Sequence, residues 1–385
     1  MLTSLAITLA LALLLTVAVR AVAQRWQIFD EPDGQRKVHR RRVALWGGVA
    51  VYAALLLGLL YACHAPETAS KALSDLARVL LPTAGLVCLI GAWDDWRELP
   101  AKLKLLLQLV SVLPIIAAGY AVDRIVVFGY PISLGWLGVP VTILWLLGCI
   151  NALNLIDGMD GLASIVGLST TAMMALIALS AGNGHIAVIA VILAAALSGF
   201  LVFNLPPATI FLGDSGSTLI GLVVGILGMQ GSMKSSATLA ITAPVVLMTL
   251  PMFDVVMAVV RRKLTGRPFD AADREHIHHR LLDRGLSTWQ VLWILGALCL
   301  TTGAAATAAT VFRLDALAWI IASTMVVAMI RLRLFGDYEL GLMRSALRRG
   351  IVSFAKRLLS LPWPKVRPAD DVWPPGQIHA LPQIS

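Results

Sequence analysis

Charge is scarce in this chain. Only 14% of its 385 residues are Asp, Glu, Lys or Arg, while 58% are hydrophobic. Between its long apolar stretches too little chain remains for a soluble domain with a core of its own. Cysteine is nearly absent as well. Cys63, Cys88, Cys149 and Cys299 all lie in or at the end of apolar stretches, with no C-x-x-C pair. That argues against a disulfide framework and a thiolate metal site, and leaves the four as small buried hydrophobes. No internal repeat is visible, and the related halves common in ion-coupled transporters are missing with it. Positive charge is missing from Met1 to Ser4, whereas Arg20, Arg25, Arg36 and Lys37 follow the first apolar stretch. A secretory leader has the opposite polarity, so the first helix is expected to be retained although Ala21-Val22-Ala23 resembles a cleavage site.

What the chain does have is apolar runs. Eleven approach the roughly 20 residues needed to cross a hydrocarbon core: about 2–22, 46–63, 79–93, 103–121, 138–153, 162–180, 186–203, 217–231, 237–260, 289–312 and 316–331. The expected fold is all-α, a polytopic membrane protein of about eleven spans. The odd-numbered loops and the tail carry 25 of the Lys and Arg residues, the even-numbered loops 5. This bias places the odd loops in the cytoplasm, the N-terminus outside and the C-terminus inside. The net charge of +9 is thus a topology signal spread over loops and tail, and it gives no support to nucleic-acid binding. In the outer loop 122–137, Arg124 to Val127 and Ile132 to Leu134 flank Gly129-Tyr130-Pro131, the pattern of a small hairpin.

Five polar segments fall on the inner side, each separated from the next by two spans. The first contains Lys37 and His39 within an arginine run. The second is Asp94-Asp95, directly after a span, where paired carboxylates are costly unless a cation or donor compensates them. Its polar character continues through Lys104 and Gln108. In the third, Asn151, Asn154, Asp157 and Asp160 recur every third residue. Gly158 and Gly161 argue that one helix ends near Ile156 and another begins after a tight turn, so that the polar groups converge. The fourth, Phe211-Leu-Gly-Asp214-Ser-Gly-Ser217, opens a helix whose N-terminus favours an anion such as phosphate. Asp214 would repel that anion unless a divalent cation lies between them, which suits Mg²⁺. The fifth holds His276, His278, His279 and Arg280. Two histidines on one helical face can bind zinc, but donation to a diphosphate or sugar suits this loop better.

Together these segments resemble the polyprenyl-phosphate N-acetylhexosamine-1-phosphate transferases, the superfamily that includes the phospho-MurNAc-pentapeptide translocase. The resemblance runs from Arg36-Lys37-Val38-His39 through Gly47-Gly48, Asp94-Asp95, Asn151-xx-Asn154-xx-Asp157-Gly-x-Asp160 and Gly213-Asp-x-Gly-Ser217. It ends in Arg267-Pro-Phe and His276-Ile-His-His-Arg280, and Val43-Ala44-Leu45 stand where the family has a proline. It implies transfer of a sugar 1-phosphate from a UDP-sugar to undecaprenyl phosphate, releasing UMP. Mg²⁺ is the implied cofactor, with Mn²⁺ as the alternative. Catalytic candidates are Asp94, Asp95, Lys37, His39 and Asp157. Substrate-binding candidates are Asn151, Asn154, Asp160, Phe211, Arg267, His276, His278, His279 and Arg280, with the uracil assigned to Asp160 and Phe211. Asp214 and Asn154 are the implied metal contacts.

UDP-GlcNAc is the first choice of donor, with GalNAc, QuiNAc and FucNAc sugars open, in the initiation of O-antigen or another envelope glycan. The implied location is the bacterial inner membrane with a cytoplasmic active site. Partners are the two substrates and membrane lipid, with a homodimer open. An ion-coupled transporter using Asp254 is the alternative from a different class. The expected domains are a transferase over 1–333, a basic amphipathic helix over 334–361 and a proline-rich tail over 362–385.

Overall fold

The computed structural model describes residues 1–31, 42–127, 130–233, 242–266, 276–312 and 315–332, with isolated positions at 341, 344, 345 and 348. The helices are α1 (Leu2–Arg25), α2 (Gly47–His64), α3 (Lys71–Trp96), α4 (Ala101–Ala117), α5 (Gly138–Ile156), α6 (Leu162–Ser180), α7 (Gly184–Asn204), α8 (Gly213–Met233), α9 (Thr242–Leu247), α10 (Thr249–Thr265), α11 (Ile277–Asp283), α12 (Thr288–Phe312) and α13 (Asp315–Arg331). Two short antiparallel pairs interrupt them. One joins β1 (Phe29–Asp30) to β2 (Val43–Ala44). The other joins β3 (Arg124–Val127) to β4 (Tyr130–Ser133) and is the hairpin expected in that loop. Lys37, His39 and Arg267, most of the helix expected over 334–361 and all of 362–385 lie outside the described residues.

The protein is a mostly helical, polytopic membrane protein. Seven helices among the described residues are long and apolar enough to cross a membrane: α1, α2, α3, α5 with its preceding turn, α6, α7 and α12. The stretch expected over 79–93 is the middle of the much longer α3, which starts at Lys71 where Ser70 accepts the Leu73 N–H at 3.1 Å. The stretch expected over 217–231 extends to 21 residues as α8, long enough at 1.5 Å per residue to span about 30 Å. The stretch expected over 237–260 is broken at Met248 into α9 and α10. Pro251 has no N–H to give Leu247, four residues earlier, which is the physical reason for the break.

Packing uses small residues, as expected where lipid removes the hydrophobic drive between helices. On α1, Ser4, Thr8, Ala12 and Thr16 form a buried stripe at four-residue spacing against α2 and α7. Thr8 and Thr16 return their hydroxyls to carbonyls one turn back, at 2.7 and 2.6 Å, so these two buried hydroxyls are satisfied. At the centre stands α8, whose side chains from Leu219 to Leu227 are fully or almost fully buried. It is flanked by α3, α5 and α2. By contrast α4 turns Leu103, Leu105, Leu106, Val110 and Leu113 outward.

Candidate active site

The N-terminal turn of α8 carries Asp214, and three separate stretches of chain hold it in place. The segment just before it pairs with the start of the chain: Ala44 bridges Ile210 in parallel, and the Phe211 N–H donates to the Ala44 carbonyl at 2.8 Å. Three residues on, the N–H groups of Gly47 and Gly48 donate to the carbonyls of Phe211 and Leu212, both at 2.9 Å. Gly48 is where α2 touches α8. A Cβ there would lie 2.0 Å from the Gly216 nitrogen, and one at Gly91 of α3 would lie 2.5 Å from the Asp214 carbonyl carbon. Trp46 Nε1 donates to the Ala92 carbonyl at 2.9 Å and fixes α2 to α3 beside this contact.

The two carboxylates at the end of α3 then part company. Asp95 accepts the backbone N–H groups of Asp214 at 2.7 Å and Ser215 at 3.2 Å. It therefore caps α8 from another helix and occupies the helix N-terminus that the sequence had offered to a phosphate. That expectation is corrected: two of the free N–H groups of the first turn are taken by a carboxylate of the protein itself. Asp94 accepts the Leu99 N–H at 2.6 Å and pairs with Lys104 Nζ at 2.8 Å. Lys104 also pairs with Asp214 and lies 3.3 Å from Asn154 Oδ1. Asn154 completes the set, donating from Nδ2 to Asp214 Oδ1 at 2.7 Å and to Ser217 Oγ at 3.1 Å. The Lys104 side chain is 18% exposed and that of Asp94 11%, so this network is screened only partly by water.

The third polar segment folds as its glycines suggest. α5 ends at Ile156, and Gly161 adopts φ +75° before α6 starts. Asp157 and Asp160 sit in the turn. Burial, together with the charges of Asp214, Asp95 and Asp160, pushes the Asp157 carboxyl well above the ordinary carboxylate range. Asp160 accepts the Ala208 N–H at 3.0 Å and so ties this turn to the segment before α8. A cavity of about 400 Å³ opens between the helix ends, lined by Asp94, Asp95, Asp157, Asp160 and Asp214, with Phe211 on its wall and Asp30 and Glu98 also contributing. The histidine segment reaches this wall from outside: a Cβ on Gly158 would lie 2.3 Å from His278 Nε2. Burial, with His279 and His276 close by, holds the His278 pKa well below its ordinary value.

Glycosyl transferase family 4 matches residues 77–232. A Bacillus subtilis protein named "Probable undecaprenyl-phosphate N-acetylglucosaminyl 1-phosphate transferase" is 32% identical over 286 residues, 73% of this chain and 77% of its own. The Mycobacterium leprae decaprenyl-phosphate N-acetylglucosaminephosphotransferase is 30% identical over 309 residues, 73% and 76% of the two chains. The Escherichia coli K12 undecaprenyl-phosphate alpha-N-acetylglucosaminyl 1-phosphate transferase is 27% identical over 284 residues, 72% and 75%. The chain belongs to the polyprenyl-phosphate N-acetylhexosamine-1-phosphate transferases.

In this transferase the fold brings Asp94, Asp95, Asn154, Asp157, Asp160, Phe211 and Asp214 to one place. Asn151 is not among them: it donates to Gln108 Oε1 at 3.0 Å and to the Leu147 carbonyl at 2.8 Å, tying α5 to α4. His276, His278, His279 and Arg280 are not among the residues that line the cavity; His278 meets it only through Gly158. Sequence reasoning passed over Lys104 as a site residue, although an ammonium at the head of the leucine-rich α4 is itself a signal. Asn204 was missed outright. It accepts from Ser164 Oγ at 2.8 Å and donates to the Ile210 carbonyl at 3.0 Å, so it locks α6, α7 and the segment before α8 together. An amide at the end of the otherwise apolar α7 could have pointed to it.

Proposed function

We propose that this transferase moves N-acetylglucosamine 1-phosphate from UDP-N-acetylglucosamine to undecaprenyl phosphate and releases UMP, at the cytoplasmic face of the inner membrane. The family relationship supports the reaction, an N-acetylhexosamine 1-phosphate passing from a UDP-sugar to undecaprenyl phosphate. The choice of sugar follows the relatives, whose names all specify N-acetylglucosamine as the sugar transferred. The observation that carries the reading is the cavity where the acidic ends of α3, α5 and α8 meet around Lys104. Such a site can hold an anionic diphosphate only with added positive charge, which Lys104, the histidine segment and a divalent cation would supply together.

The donor set fits Mg²⁺. The ion takes hard oxygen ligands and is commonly held by one or two carboxylates plus substrate phosphates. Asp214 offers a carboxylate, and Asn154 Oδ1 already faces a cation in the form of Lys104 Nζ. Among the described residues no three acidic, histidine or cysteine side chains form a ready metal cage. Held by Asp214 and Asn154, such an ion would supply positive charge to offset that of the phosphate oxygens.

For the residues themselves the chemistry is direct. A phosphate monoester has its second pKa near ~6, so the acceptor is ionised at neutral pH and needs little help from a base. Its oxygen attacks the β-phosphorus of the donor, the bond from that phosphorus to the bridging oxygen breaks, and UMP departs with the electron pair. Asp94, facing the cavity, orients or deprotonates the acceptor, while Lys104 spreads the charge of the leaving phosphate. Asp160 and Phe211 hold the uracil, and His276, His278, His279 and Arg280 serve the diphosphate or sugar. Lys37 and His39 keep their place in the same site as proposals from the motif alone. Purified protein given UDP-N-acetylglucosamine should release UMP only when polyprenyl phosphate is present. A set of UDP-sugars under the same conditions tests the sugar. Release without the lipid, or none with any donor, would overturn the assignment.

A further inference from the structure

Asp254 lies on α10, in an apolar setting where a carboxylate is costly to bury unless it is paired. Its side chain is 1% exposed and accepts from His276 Nδ1 at 3.0 Å, with the imidazole itself 6% exposed. We infer that Asp254 is a positioning residue for the transfer reaction: it fixes the tautomer and orientation of His276, and through it the seat of the histidine segment against the cavity. The inference rests on the reading of that segment as a donor-side contact.

The geometry follows a continuous path. With the Nδ1 proton committed to Asp254, Nε2 is the ring nitrogen left for any further partner, since the hydrogen bond at one nitrogen decides the protonation of the other. The His276 ring lies parallel to that of His278, with centroids 6.1 Å apart and planes 3° from each other. His278 in turn packs on Gly158, in the turn that carries Asp157 into the cavity. His276 is also the residue from which α11 starts, its carbonyl accepting the Arg280 N–H at 3.1 Å. The same residue thus joins the start of that helix to α10 through its side chain. An apolar pair could join α10 to α11 at lower desolvation cost; what a carboxylate–imidazole bond adds is direction.

The test uses the full-length purified enzyme with UDP-N-acetylglucosamine and polyprenyl phosphate, in four forms: wild type, Asp254→Asn, His276→Asn and the double variant. Each single change should lower kcat/KM for the donor by about 10- to 100-fold, by analogy with the loss seen when the partner that orients a metal-bound histidine is removed. KM for the lipid should stay unchanged. If Asp254 acts through His276, the double variant should be no worse than the poorer single one. Losses that multiply, or wild-type kinetics for Asp254→Asn beside an impaired His276→Asn, would overturn the inference. Wild-type kinetics for His276→Asn would instead sink the donor-side reading on which it stands. Should Asp254→Asn fail to accumulate in the membrane, Asp254→Glu, which keeps the charge and displaces it by one methylene, carries the same comparison.

Discussion

Adjacent residues in a sequence can have unrelated duties, and Asp94 and Asp95 are an instance. Asp95 is spent on the backbone of α8, whereas Asp94 faces Lys104 and the cavity. Asp95→Ala should thus reduce stability by about 0.5–2 kcal/mol, the usual cost of losing a helix cap, and turnover with it. Asp94→Asn keeps an oxygen for the Leu99 N–H and leaves Lys104 its pairing with Asp214, so it should lower kcat by a larger factor than its loss of stability explains. Melting curves and steady-state rates on both variants check the division, and equal effects at the two positions would contradict it. His278 gives a pH-dependent expectation. Its folded-state pKa lies below the ordinary 6.5, so as pH falls through 6.5 the unfolded chain takes up a proton that the folded protein refuses. Stability from this group is complete above that pH and lost below it. Asp157, whose pKa is raised, works in the opposite sense. The measurement is therefore the difference in melting temperature between wild type and His278→Asn from pH 8 to 5. That difference should shift in favour of the variant on the acid side.

Among elements, the contact of α2 with α8 is the least forgiving. Gly48→Ala would set a methyl group 2.0 Å from backbone nitrogen, with no flexible side chain to yield. Overpacking of this kind costs about 1–3 kcal/mol or more, and a clear fall in folded protein recovered from membranes is the expected readout. Local signals were legible at this scale. The α5–α6 turn was marked by Gly158 and Gly161, and the hairpin of β3 and β4 by Gly129 and Pro131. The anion seat at α8 was misread because its occupant, Asp95, is 119 residues away from Asp214, and no local pattern records a cap delivered by another helix. Lys104 was hidden for a related reason. Its importance lies in bridging Asp94 to Asp214, 110 residues apart from it on one side, which only the folded bundle reveals. The break at Met248 was a missed local signal, since Pro251 was there to be read.

Over the whole molecule, the 25-to-5 bias of basic residues toward alternate loops leads to the expectation of eleven crossings, with the N-terminus outside. Single cysteines in a cysteine-free background decide it. A cysteine at Glu67 or Ile132 should react with an impermeant maleimide in intact cells, and one at Glu98 should react only after the membrane is opened. Labelling of Glu98→Cys from outside would reverse the orientation and move the cavity to the other face.

The bridge between Ala44 and Ile210, with the bonds from Gly47 and Gly48 to Phe211 and Leu212, bears on how this protein could be recombined with its relatives. Residues 43–48 and 207–214 are far apart in the gene yet form a single unit of exchange. A chimera that crosses over between them would join two halves whose strand registers were never matched. One that carries both from the same parent keeps the wall of the cavity whole.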